Sequence, residues 1–79
     1  MVSYESIIYP NPTTGMIFLK DEKFSGLYQI FNSKGQLVQD GRLETGQNIE
    51  VTSLVSGVYY FSLLKDQKRE NIKFIKISD

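Results

Sequence analysis

The side chains that most often do chemistry in proteins are scarce in this sequence. Its 79 residues include no histidine and no cysteine. That removes the usual general base near neutral pH, the thiol nucleophile and the common zinc ligands. Carboxylates and tyrosines remain. Asp21, Glu22, Asp40, Glu44, Glu50, Asp66 and Glu70 fall in or beside stretches that read as turns, where such groups are ordinarily solvated and shape the turn itself. Their spacing lacks the alternating acids of a calcium loop. No glycine-rich loop follows a strand and opens a helix, as a phosphate site requires. Catalysis needs convergent groups within a pocket, and so short a chain encloses little. The expectation is a domain that is not an enzyme and takes no cofactor, metal or small-molecule substrate.

The five tyrosines, Tyr4, Tyr9, Tyr28, Tyr59 and Tyr60, admit two readings. Aromatics exposed on a sheet can stack on sugar rings, which would make this a carbohydrate-binding or adhesion module. The preferred reading places Tyr28 and Tyr59 in a core, with their hydroxyls reaching its edge. Nine basic and nine acidic residues cancel and are interspersed along the chain. A nucleic-acid module would instead show a basic stripe, and a membrane anchor a basic cluster. The longest apolar run, "GVYYFSLL" over 57–64, falls far short of the ~20 residues that span a bilayer. Met1 is followed by Ser3, Tyr4 and Glu5 rather than by a basic and then an apolar segment. The expectation is an excised domain, with any export signal belonging to a larger parent.

The elements that must position these residues follow a period of two. Short stretches rich in β-branched and aromatic residues are punctuated by Gly, Asn, Asp and Ser about every ten residues, which predicts an all-β sandwich or barrel. Strands are expected over 6–9, 16–20, 27–32, 36–41, 48–51, 58–65 and 70–77. The strand at 58–65 is apolar on both alternating sets, as is 27–32, so both are expected at the middle of a sheet with both faces covered. Ile49 and Val51 alternate with Asn48 and Glu50, the pattern of a half-exposed strand. In the last strand Ile72 and Phe74 share one face while Ile75 and Ile77 fall on the other. Either a bulge near Phe74 or partial cover on both faces accounts for that. "NSKG" at 32–35 predicts a type I turn closed by a left-handed glycine. "KDQK" at 65–68 predicts a second hairpin with Asp66 capping its turn. Leu54, in the connector "TSLVSG", is expected to tuck inward, with Gly57 easing the backbone into the next strand.

The only two prolines, Pro10 and Pro12, stand in "IIYPNPTTG". Neither can donate to a sheet ladder, so they end the first strand, and Tyr9 and Asn11 before them are pushed toward extended conformations. With Gly15 restarting the chain, the expected result is a rigid corner that carries it across to another sheet. A domain that buries only about 60% of its unfolded surface has a margin of roughly 4–12 kcal/mol, so that rigidity is useful. "NPT" is no glycosylation acceptor, because proline fills its middle position.

Taken in order, "YPNPTTG", "FNSKGQLV", "TSLVSGVYYFSL" and "KFIKI" resemble the type A C-terminal sorting domain of the type IX secretion system of Bacteroidota, over about residues 7–77. The proline–any–proline and glycine motif falls on Pro10, Asn11, Pro12 and Gly15. The glycine–any–tyrosine motif falls on Gly57 and Tyr59, and the lysines of the final strand are Lys73 and Lys76. The resemblance implies a small immunoglobulin-like antiparallel β-sandwich of about seven strands, over residues 1–79, at the end of a large exported cargo. It also implies passage through the periplasm, recognition by the translocon and its shuttle components, and arrival at the cell surface or in the medium. A cell-surface sortase would cut upstream of or close to residues 2–5. The terminal strand is expected at a free edge, able to lend its N–H and C=O groups to a partner. Lys73 and Lys76 are expected to be exposed there, either meeting that partner or only guarding the edge.

Overall fold

The computed structural model describes residues 8–20, 25–45, 48–65 and 67–77. Seven strands follow in chain order: β1 (Ile8–Tyr9), β2 (Met16–Leu19), β3 (Gly26–Asn32), β4 (Leu37–Leu43), β5 (Ile49–Glu50), β6 (Gly57–Lys65) and β7 (Lys68–Lys76). They form two antiparallel sheets, a three-stranded one in the order β1-β2-β5 and a four-stranded one in the order β4-β3-β6-β7. The result is a small all-β sandwich. Tyr4, Asp21, Glu22, Asp66 and the expected cleavage region at 2–5 lie outside the described residues.

Alternation decides what each sheet buries. In the small sheet Ile8, Ile17, Leu19 and Ile49 point inward, while Tyr9 and Phe18 stack on each other outside, with ring centroids 5.5 Å apart. The large sheet contributes Ile30, Leu43, Tyr59, Phe61, Leu63 and Phe74. Val51 completes the half-exposed pattern of β5, and Leu54 packs on the core from its connector. Tyr28 stacks on Phe61 and Tyr59 on Phe74, each pair at 5.6 Å. Their hydroxyls reach polar partners, as buried tyrosines require. Gln39 Nε2 donates to Tyr28 at 3.2 Å, and Tyr59 donates to the Val55 carbonyl at 2.7 Å. Gln39 Nε2 also donates to the Glu50 carbonyl, tying β4 to β5 across the sandwich.

The turns follow their sequence chemistry. Gly35 N–H donates to the Asn32 carbonyl, and Gly35 sits at φ 82°, the left-handed region that glycine enters without steric cost. Asn32 Oδ1 accepts the N–H groups of Lys34 and Gln36. Lys65 pairs with Lys68, which closes the second hairpin; the expected capping by Asp66 lies outside the described residues.

One expectation needs correction, and for the last strand the alternative of partial cover on both faces holds. β3 and β6 are central, but only one face of their sheet is covered: Leu27, Tyr60 and Leu64 are exposed on the other. The β6–β7 register runs without a shift, so no bulge occurs near Phe74. The irregularity lies between Ile30 and Phe31, opposite β4. Ile75 and Ile77 therefore stay on the outer side, each partly exposed.

Candidate functional site

β7 is the edge of the large sheet, and its exposed backbone groups can be read from its partners. In an antiparallel strand, alternate residues turn both their N–H and C=O to the same side. Lys73, Ile75 and the following Ile77 turn theirs away from β6, toward the segment 11–13. Asn11 Nδ2 donates to the Lys73 carbonyl at 3.0 Å, while Asn11 Oδ1 accepts the Ile75 N–H at 3.0 Å. The side-chain amide thus imitates a peptide group from a neighbouring strand. One step on, Thr13 N–H donates to the Ile75 carbonyl at 2.8 Å, and Ile77 N–H donates to the Thr13 carbonyl at 2.9 Å. Thr13 and Lys76 form a parallel bridge. The proline segment is a short clasp on the end of β7.

Local chemistry makes the clasp. Pro10 and Pro12, in cis peptide bonds, flank Asn11 and bring no N–H of their own to be satisfied. Asn11 and Thr13 thereby make the clasp bonds, each supplying one donor and one acceptor. Thr13 is only 1% exposed, and its hydroxyl donates to the Met16 carbonyl at 2.7 Å while accepting the Gly15 N–H at 3.3 Å. Gly15 lies in close approach to the connector after β5. A Cβ there would stand 2.7 Å from Thr52 Cγ2, and the Gly15 carbonyl accepts the Val51 N–H at 2.8 Å. The chain then enters β2.

The other motif residues converge on the same end of the domain. Gly57 opens β6 opposite Lys76, and Tyr59 pairs with Phe74 under the clasped half of β7. Pro10, Asn11, Pro12, Gly15, Gly57, Tyr59, Lys73 and Lys76 are thus assembled around one strand end, although they come from opposite ends of the sequence.

Three expectations change at this site. The double-proline segment does not carry the chain into a new sheet. β1 and β2 pair directly in the same small sheet, and between them the chain only visits the edge of the large one. Lys76 is 4% exposed, not exposed as expected; it faces inward in the β7 alternation, where a long aliphatic stem can be covered while its head reaches out. Lys73 is exposed. The edge of β7 is free along only part of its length: the clasp occupies the end from Lys73 to Ile77, while Arg69 and Asn71 turn their backbone groups outward without a backbone partner among the described residues.

Sequence reasoning also missed Thr13, which makes both backbone bonds of the clasp. Its signal, a small β-branched polar residue after the second proline, is too common to single out. Tyr9 and Phe18 are stacked on the small sheet, whereas Tyr60 lies on the outer face of the large one.

No curated protein matches this chain. The family model described as the secretion system C-terminal sorting domain matches residues 7–77, nearly the whole sequence and the span from β1 to just past β7. The chain belongs to this family of type IX secretion C-terminal sorting domains.

Proposed function

We propose that the machinery reads this sorting signal as a folded corner, in which the proline clasp and the end of β7 are recognised together. Type IX sorting is the function of the family, whose members direct a cargo out of the cell and are not themselves catalysts. In the finer reading, the domain follows an N-terminal cargo in its parent protein and crosses the periplasm with it. It then engages the translocon and shuttle components, and a surface sortase releases or attaches the cargo. The observation that carries this reading is the convergence of Asn11, Thr13, Tyr59 and Lys73 on one strand end.

The physical consequence is conditional presentation. Lys73 and its neighbours in β7 meet Asn11 across more than 60 residues of chain, so the epitope exists only once the sandwich has closed. A linear tail would be recognised folded or unfolded. Fusion of the chain to a fluorescent cargo with a Sec signal should bring the cargo to the surface or medium of a type IX-competent cell. Removing residues 74–79 should leave it in the periplasm, and so should Asn11→Ala combined with Thr13→Pro, which leaves the tail sequence intact. Normal export by that clasp variant would show that the tail alone is read.

A further inference from the structure

The outer face of the four-stranded sheet takes no part in the sandwich core, yet its composition is not that of a solvated surface. The β3–β6 register places Leu27 beside Leu64, Gln29 beside Ser62 and Phe31 beside Tyr60 on that face. β7 adds Ile75 beside Val58 and Lys73 beside Tyr60. At the end nearest the clasp this builds an apolar ridge from Phe31, Val58, Tyr60 and Ile75, extended by Leu37 opposite Phe31. Leu37 is 49% and Tyr60 41% exposed. The sequence pattern of a strand covered on both sides is thus met on one side only.

The opposite end of the face holds a concavity of about 330 Å³, lined by Leu27, Leu64, Asp40, Arg42, Ser62 and Arg69 among others. Arg69 is held in place there: its Nη1 donates to Gln29 Oε1 and to Ser62 Oγ, both at 2.8 Å. The remaining N–H groups of a guanidinium fixed in this way suit a carboxylate, which a planar fork binds in a bidentate manner. Charge is segregated on this face. Within its strands lie Arg42, Arg69 and Lys73, and Asp40 is the one carboxylate among the described residues there. The whole chain, by contrast, carries nine charges of each sign.

We propose that this face docks an extended protein segment of the export machinery, apolar at the end lying over Tyr60 and Ile75 and acidic at the end entering the Arg42–Arg69 concavity. The identity of the partner as machinery rests on the sorting reading above; the chemistry of the surface does not. From Val58 to Leu64 the face spans six residue-to-residue steps, about 20 Å, so an extended heptapeptide reaches from ridge to concavity. Apolar contact supplies attraction without direction, and the cations set the polarity of the bound segment.

The test begins with the 79-residue chain labelled with ¹⁵N and titrated with the acetylated, amidated peptide Leu-Phe-Val-Ser-Gly-Asp-Glu. A second titration uses the counterpart ending in Asn-Gln. The acidic peptide should shift the amides of Leu27, Ser62, Leu64 and Tyr60 and the Arg69 side-chain signal, and bind at least about tenfold more tightly than the neutral one, the 1.4 kcal/mol of a charge-assisted contact. Arg42→Gln with Arg69→Gln should erase that difference. Shifts confined to β1, β2 and β5, equal affinity for both peptides, or no shifts would overturn the proposal. Dilution-dependent shifts on this face without peptide would do so as well, by making a second copy of the chain its occupant. In cells, the cargo fusion bearing Arg42→Glu and Arg69→Glu should be retained although folded. If it is exported like the parent fusion, the docking face is wrong and the sorting reading stands. If the parent fusion itself is retained, the sorting reading fails, and the titration alone decides the surface.

Discussion

The two halves of β7 share one backbone and one register, yet they are finished differently. From Lys73 to Ile77 the strand is closed on its outer side by Asn11 and Thr13, is backed by Phe74 and Tyr59, and carries Lys73 and Lys76. Around Arg69 and Asn71 the outward backbone groups have no such cover among the described residues, and the side chains are polar or charged. An open edge invites unwanted pairing, and short free stretches rich in charge discourage it. The clasp does the same for the more apolar half by occupying its hydrogen bonds. In that half, the backbone bonds that close the strand lie within the surface proposed for recognition. In the other, charge can change without loss of the fold.

Substitutions can break this contrast, and the largest effect is expected under the clasped half. Phe74→Ala removes a fully buried ring and should cost about 3–5 kcal/mol. Against a total of roughly 4–12 kcal/mol, thermal unfolding should show a marginal or unfolded domain, and the fused cargo should not be exported. Asn11→Ala opens the clasp without touching the core. Two hydrogen bonds to strand backbone are lost, which should lower stability by about 1–3 kcal/mol in urea titration, and export should fall further than that loss alone explains. Tyr59→Phe keeps the stack on Phe74 and removes only the bond to the Val55 carbonyl, for about 1 kcal/mol. Lys73→Ala sharpens the comparison within the clasped half. Lys73 is exposed, so stability should stay within about 0.5 kcal/mol. A drop in export at unchanged melting temperature would then separate partner contact from edge protection.

Much of this architecture was legible in the residues because it is written locally. The alternation of Ile49 and Val51 with Asn48 and Glu50 determines which side of β5 is buried, and "NSKG" carries its own turn geometry. The doubly apolar pattern of β6 correctly placed it inside a sheet. The same pattern misled about cover, since side chains alone do not say whether the second layer comes from the same chain. The clasp was illegible for a different reason. Two prolines announce that β1 ends, but the place where Asn11 lands depends on an edge more than 60 residues away. Lys76 illustrates the same limit. A lysine in a final strand reads as solvated, whereas the structure turns Lys76 to the inward side of β7, bridged to the buried Thr13.

Amide hydrogen exchange on the labelled chain measures the closed and open halves of β7 side by side. The N–H groups of Ile75 and Ile77, bonded to Asn11 and Thr13, should be protected to near the global limit, and that of Asn71 should exchange far faster. In Asn11→Ala the Ile75 protection should collapse while Phe61, in the centre of the sheet, keeps its own. Equal, rapid exchange at Ile75, Ile77 and Asn71 in the parent chain would mean that no clasp closes the strand, and the account of a folded composite signal would be contradicted.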